Sequence, residues 1–361
     1  KGNILIISPW NYPIMLCLNP LIAAISSGNT AIIKPSELTP ASGELLKKLI
    51  EKTFPTDEVA VFLGEKDVAQ KLLDLPFNHI MFTGSPQVGK LVMEAASKHL
   101  AGLTLELGGK SPVIVDKHAN IEDAAWKISF YKFANAGQTC TAPDYILCDE
   151  AVHENLASAL QKNMLEFFSE GIDAAKKDYC SIANEHHFNR LQDALKSSVS
   201  AGAKIACGGE TSQSGLYLSP AVLIDVSYEN PIMQEEIFGP ILPVVKVKNL
   251  EESIDYVNKN EKPLALYLFS NKSSVHEKVL QNTSSGGMVI NDCVIHHMNP
   301  NLPFGGVNNS GVGSYHGKFG FDAFSHQKAV LKSSSLSPFQ IMLPPYTKTK
   351  ETLANLIKKY F

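Results

Sequence analysis

Cys140 closes the run Phe133-Ala-Asn-Ala-Gly-Gln-Thr-Cys140, with Thr141-Ala-Pro after it. A thiolate is a strong nucleophile, and a glycine-containing turn lets backbone N–H groups point at whatever it attacks. Most cysteines are small buried fillers instead. That reading suits Cys17, Cys148, Cys180, Cys207 and Cys293, none of which stands in a motif. Glu106 lies in Leu103-Thr-Leu-Glu-Leu-Gly-Gly109. A carboxylate amid apolar strand residues is costly to bury. Burial would raise its pKa toward neutrality and make it a general base, whereas on a solvated strand face it would be an ordinary anion. Asn11, in Pro9-Trp-Asn-Tyr-Pro13, follows a strand. Its amide could donate to an oxyanion or simply satisfy a turn.

Two further stretches suit phosphate and sugar. Phe82-Thr-Gly84-Ser85-Pro-Gln-Val-Gly89 reads as strand, glycine turn and helix start. Backbone N–H groups in such a joint can cradle a pyrophosphate. It carries neither the GxGxxG spacing nor the Lys-Ser/Thr of a P-loop, and such joints are also plain structural turns. Lys34-Pro-Ser-Glu37 closes the preceding strand, where a lysine and a carboxylate can reach ribose hydroxyls or form a polar turn. The pairs His186-His187 and His296-His297 have no metal-ligand spacing, so no metal is expected.

The elements that must hold these residues alternate. Residues 3–8, 30–33, 59–63 and 79–82 read as strands. Helical spacing covers 21–27, about 39–52, 68–73 and about 86–98, with Thr39 as N-cap and Pro40 at the first helical position. Such alternation predicts a parallel, doubly wound sheet. A strand over 103–107 stops at Gly108-Gly109, the expected domain boundary. Beyond it lie a strand at 113–115, a helix over 121–134 and the Cys140 turn. A second α/β stretch follows, with helices near 151–169, 186–200, 250–259 and 273–281 and strands near 145–148, 241–247, 265–269 and 287–290. The tail after Ser333 is Ser- and Pro-rich, then helical from about Lys348 to Lys359.

Composition narrows the class. The chain has 361 residues, 44% hydrophobic and 19% charged, which is a soluble globular balance long enough for two domains. A net charge of −4 gives no electrostatic reason to expect nucleic acid. No apolar run is long enough for an integral membrane segment. Six cysteines without framework spacing favour a reduced, cytoplasmic setting. The chain starts without Met, inside a strand that reads as buried, so it is expected to continue upstream.

Seven blocks, taken together and in order, resemble the aldehyde dehydrogenase superfamily. They are Pro9–Pro13, Lys34–Glu37, Phe82–Ser85 with Gly89, Leu105–Pro112, Gly137–Cys140, Gln234–Pro240, and Pro303–Gly306 with Ser310-Gly311. The resemblance covers residue 1 to about 332. Ser314-Tyr-His-Gly-Lys-Phe319 with Phe324-Ser-His326 resembles the class 3 branch, which includes fatty aldehyde dehydrogenases. The resemblance implies a Rossmann-like parallel-sheet cofactor domain over 1–107 lacking its leading part, and an α/β catalytic domain over 108–316. It also implies an oligomerisation strand within 317–333, a C-terminal tail over 334–361 and a homodimer. In that scheme Cys140 attacks the aldehyde, Asn11 and the Cys140 N–H hold the oxyanion, and Glu106 activates water to hydrolyse the thioester. Lys34, Glu37, Gly84, Ser85, Gly89, Leu107, Gly108, Glu236 and Phe238 would bind the cofactor. Tyr12, Leu16, Thr139 and Phe304 would line the route of an apolar aldehyde. Glu37 suits a free ribose 2′-hydroxyl and repels a 2′-phosphate, which favours NAD, while Lys34 keeps NADP open. A CoA-acylating relative would generally lack Glu106. A non-catalytic protein of the same fold is the alternative from another class.

Overall fold

Alternating apolar runs and helices build the first half of the chain as the pattern predicts. The computed structural model describes residues 1–167, 179–333 and 343–360. Strands β1 (Asn3–Ile7), β2 (Thr30–Lys34), β3 (Val59–Val61), β4 (His79–Gly84) and β5 (Gly102–Leu107) run parallel, in the spatial order β5-β4-β1-β2-β3. Helices Met15–Ser26, Pro40–Thr53, Lys66–Leu73 and Pro86–Ser97 make the crossovers. The order reverses between β1 and β4. In such sheets the crevice for a ligand lies past the carboxyl ends of the strands at that reversal. Asn11, Ser85 and Gly108 follow those ends, and Lys34 is the last residue of β2.

The first helix starts earlier than the sequence pattern indicates, at Met15, and it contains Pro20. A proline there has no N–H for the carbonyl four residues back, which belongs to Leu16. The buried Ser8 hydroxyl fills that role, donating to the Leu16 carbonyl at 2.8 Å. A second difference concerns Thr39. It precedes its helix, yet its side chain makes no capping bond and turns back to the Ser36 carbonyl instead.

At Leu107 the chain leaves the first sheet. The second sheet takes β6 (Pro112–Val115), β7 (Tyr145–Asp149), β8 (Lys204–Gly208), β11 (Ala221–Ile224), β12 (Ile241–Val247), β13 (Ala265–Phe269) and β14 (Gly287–Ile290). Their order is β14-β13-β6-β7-β12-β11-β8, and a small hairpin, β9 (Thr211–Ser212) with β10 (Tyr217–Leu218), stands apart. Sequence patterning had no hold on β8 to β11, which are short or partly exposed. Helix Ile121–Phe133 links β6 to the Cys140 turn, and helices His153–Phe167, Glu185–Ser200, Leu250–Lys259 and Ser273–Asn282 cover the rest. Residues 168 and 169 of the expected 151–169 helix lie outside the described residues.

The chain then returns. β15 (Gly311–Val312) pairs antiparallel with β5, and Phe304, Tyr315 and Phe324 join the apolar cluster of the first sheet. The stretch expected to hold an oligomerisation strand begins otherwise: Gly317–Ala323 is a helix, with Gly320 packed close to Ala23. A helix there buries Phe324 where a solvent-facing strand would expose it. Residues 326–333 form no strand within this chain. Two compact units result, Lys1–Ser325 and His326–Phe361. The second carries the helix Lys348–Tyr360, as the sequence predicts. Residues 334–342 and 361 of the expected tail lie outside the described residues.

Candidate active site

The Cys140 turn is built by three consecutive left-handed residues. Asn135 and Ala136 each have φ +51° and Gly137 has φ +70°. Only glycine enters that region freely, and a Cβ on Gly137 would strike the Gly239 carbonyl. The turn ends helix Ile121–Phe133 sharply and leaves Cys140 half-buried before β7. Burial pushes the Cys140 thiol up to about 12, with the charges of Glu236 and Glu106 adding to it and backbone N–H groups of Cys140 and Thr141 opposing. The sulfur is therefore held as a thiol.

The charges of two carboxyl groups, Glu236 and Glu106, reach it. Glu106 lies on β5 at 3% exposure, and burial holds its pKa well above the carboxylate range. Neither of its side-chain oxygens has a hydrogen-bond partner among the described residues. A buried carboxyl group left so is costly unless neutral or awaiting a partner. Glu236 is raised to about 8, by burial first and by Asp144 next, against the pull of the Gly109 N–H, Lys110 and Arg190. Lys132 is fully buried on the same side and is lowered to about 8, chiefly by burial.

Asn11 lies beside this group. Its Nδ2 donates to the Gln138 carbonyl at 3.0 Å, which orients the amide and leaves its second N–H to point elsewhere. Asn135 Nδ2 donates back to the Asn11 carbonyl at 3.1 Å. Tyr12 and Thr139 share a hydrogen bond of 2.8 Å between their hydroxyls. A cavity of about 740 Å³ lies on the Asn11 and Asn135 side of the turn, walled by these two and Tyr12 with apolar Met15, Phe130, Phe133 and Phe167, and neither Cys140 nor the two carboxyl groups line it. Leu16, Thr139 and Phe304 stand outside that wall. Leu16 and Phe304 are buried, and Phe304 shares an apolar cluster with the Cys140 side chain. Met15, Phe130 and Phe133 carry no sequence signal beyond helical apolar spacing, so patterning could not single them out.

The remaining candidates gather at the carboxyl ends of the first sheet. Lys34, at 2% exposure, donates to Glu37 at 2.7 Å. Partial burial works against the Glu37 anion, but this bond and the lysine charge hold its pKa below the usual value. Ser85 caps helix Pro86–Ser97 by accepting the Val88 N–H at 3.4 Å. A Cβ on Gly89 would come within 2.7 Å of Leu107 Cδ2, and one on Gly108 would strike the Glu236 carboxylate. Gly84 presses on the Phe82 ring, where a Cβ would sit 2.5 Å from Cζ. These glycines let helix, strand ends and the 236–238 loop converge on one crevice. Phe238, with φ +46°, meets Trp10 edge-on at 5.5 Å between ring centroids.

What sequence reasoning missed is the packing behind the loop. Lys110 Nζ lies 2.5 Å from Asp144 and donates to the carbonyls of Ile232 (3.1 Å) and Glu235 (2.7 Å). These partners are tens of residues or more apart, so no local pattern betrays them. No group of three or more metal-ligating side chains occurs among the described residues.

The aldehyde dehydrogenase family profile matches residues 1–330. The 4,4′-diaponeurosporen-aldehyde dehydrogenase of Staphylococcus aureus is 48% identical over 345 residues, covering 96% of this chain and 74% of that relative. A rat protein named aldehyde dehydrogenase, dimeric NADP-preferring, is 45% identical over 93% of this chain and 73% of its own length. A solved structure described as a substrate-bound state of Staphylococcus aureus AldH superposes with a TM-score of 0.93 at 46% identity, covering 99% of this chain and 77% of that one. By that profile over residues 1–330 and relatives of this identity, the chain belongs to the aldehyde dehydrogenase family, among relatives named as its family 3 members.

Proposed function

We propose that this chain oxidises an apolar aldehyde, aliphatic or aromatic, to the carboxylic acid with NAD or NADP, as a cytoplasmic homodimer. The observation that carries the reading is one half-buried thiol within reach of the charges of Glu236 and the buried Glu106, on a turn whose Asn135, with its neighbour Asn11, lines a largely apolar cavity. Family members use NAD or NADP. The residues here fit such a dinucleotide: Gly84, Gly89 and Gly108 let Phe82, Leu107 and Glu236 pack against the backbone, so that the helix start, the strand ends and the 236–238 loop meet at the crevice past the first sheet. Lys34 and Glu37 would hold the adenosine ribose, the Ser85 turn the pyrophosphate, and Glu236 and Phe238 the nicotinamide end. When bound, the cofactor supplies the hydride acceptor.

The chain's own residues account for the rest. The apolar wall takes the aldehyde's tail and excludes water from it. Cys140 gives its proton to a carboxylate and its sulfur bonds to the carbonyl carbon. The oxygen takes the electron pair, and the free Asn11 N–H with the Cys140 N–H stabilise it; such a donor is worth about 3 kcal/mol. After loss of hydride from that carbon the product is a Cys140 thioester. Glu106 then accepts a proton from water, the water oxygen bonds to the acyl carbon, and sulfur leaves as the acid departs. Retained Glu106 favours this hydrolytic ending over transfer to CoA.

The test is Cys140→Ser assayed with aldehydes of two to sixteen carbons and both cofactors. Expected is loss of NAD(P)H production with an unchanged circular dichroism spectrum. Full turnover in that variant would overturn the reading, and acyl-CoA formation in added CoA would replace it with the acylating one. Sedimentation equilibrium decides the homodimer.

A further inference from the structure

Behind the reacting centre, the carbonyls of the loop bearing Glu236 and Phe238 are gripped from one helix. Arg190, in helix Glu185–Ser200, donates from Nη1 to the Glu236 carbonyl at 3.3 Å and from Nη2 to the Ile237 carbonyl at 2.6 Å. Asp144 accepts the Ile237 N–H at 2.9 Å. The next residue, Phe238, is left-handed, a conformation that a bulky side chain holds only when its surroundings impose it. One turn earlier on the same helix, the His187 ring lies 5.3 Å from Trp10, whose ring meets Phe238. The front of this helix is tied to the nucleophile's turn. Gln138, two residues before Cys140, donates from Nε2 to the Ser181 carbonyl at 3.2 Å and accepts the Ala183 N–H at 3.0 Å. Asn184 then caps the helix by accepting the His187 N–H at 2.8 Å.

We propose that helix Glu185–Ser200 is a bracket that sets the spacing between the Cys140 turn and the 236–238 loop, with Arg190 as its positioning residue. The planar guanidinium spans two consecutive carbonyls, which the single ammonium of a lysine does not. Arg190 touches neither the thiol nor the Glu236 carboxylate through these bonds; it acts on the backbone that carries Glu236 and Phe238. The proposal rests on the functional reading for its catalytic consequence, but the bracket itself is a property of the protein alone.

The test uses that independence. The chain has two tryptophans, Trp10 and Trp126. In a Trp126→Phe background, Trp10 emission reports on Phe238 without cofactor or substrate. Arg190→Ala is expected to raise acrylamide quenching of Trp10 and to weaken NAD binding about tenfold or more, the worth of one charge-assisted hydrogen bond. Alkylation of Cys140 by iodoacetamide should change by less than about twofold, because Gln138 still holds its turn. Arg190→Lys should fall between parent and Arg190→Ala. Trp10 quenching and NAD affinity within about twofold of the parent would overturn the bracket. If Arg190→Ala fails to fold, Arg190→Lys decides alone, and parental values in both readouts overturn it. A parent that turns over no aldehyde would defeat the functional reading instead, and the quenching comparison would still judge the bracket.

Discussion

Glu106 and Glu236 are the same residue type in two different surroundings around one sulfur. Glu236 has a backbone N–H and two cations near it, and its proton leaves at about 8. Glu106 has burial alone, which raises it well above the ordinary carboxyl value. In the proposed mechanism, raising the pH through about 8 supplies a carboxylate that can take the Cys140 proton. kcat/KM for an aldehyde is expected to climb through a limb near pH 8, and Glu236→Gln to move or remove that limb, as a pH–rate profile would show. The stability sign runs the other way. Both folded-state pKa values exceed the unfolded one, so the folded chain holds more protons and loses stability as pH rises from the ordinary carboxyl value through about 8. Thermal scans from low to high pH should show that fall, smaller in Glu236→Gln. Glu106→Gln, lacking a base for water, is expected to give one burst of NADH and then stop, with the acyl group found on Cys140 by mass spectrometry. Steady turnover in that variant would remove Glu106 from its role.

Among the elements, the helix Met15–Ser26 shows how a local rule is broken and repaired. Its apolar spacing from Leu21 onward is plain in the sequence, while its first two turns are obscured by Pro20. The Ser8 hydroxyl replaces the missing N–H at the Leu16 carbonyl, so the helix can start directly after the Asn11 turn. Ser8→Ala should leave that buried carbonyl unpaired and cost about 1–3 kcal/mol in denaturant melts. Pro20→Ala in the same chain should recover much of the loss, because an alanine at that position brings its own N–H. Additive effects of the two changes would contradict this account. The same logic limits what patterning reads elsewhere. Strands β1, β2, β4, β5 and β12 to β14 are apolar runs bounded by Gly, Pro or Asn and stand out. The pairs β9–β10 and β15 are two residues each and owe their existence to what packs beside them.

At the scale of the whole molecule, the chain closes on itself. Phe324, completely buried, meets the His79 ring edge-on at 5.1 Å, and its carbonyl accepts from Asn29 at 3.1 Å. The last part of the Lys1–Ser325 unit thus seals the core under its first sheet. Phe324→Ala is expected to cost about 3–5 kcal/mol of stability, as other buried Phe truncations do, with the Cys140 geometry less affected than the first sheet. A melt within about 1 kcal/mol of the parent would show that segment to be dispensable.

Taken without any structure, the sequence sufficed for the alternating α/β class, the thiol, carboxyl and amide candidates, and the family they imply, while the domain boundary expected at Gly108-Gly109 falls inside the single compact unit Lys1–Ser325. Those features are local: a short block of residues fixes a turn, a strand end or a nucleophile's setting. Tertiary structure alone decided that Glu106 lacks a hydrogen-bond partner among the described residues, that Glu236 shares the thiol's surroundings, that Met15 and Phe130 rather than Leu16 and Phe304 wall the cavity, and that Arg190 grips the loop. Each of these depends on burial or on contacts between residues far apart in the chain, and neither quantity exists until the two sheets have met.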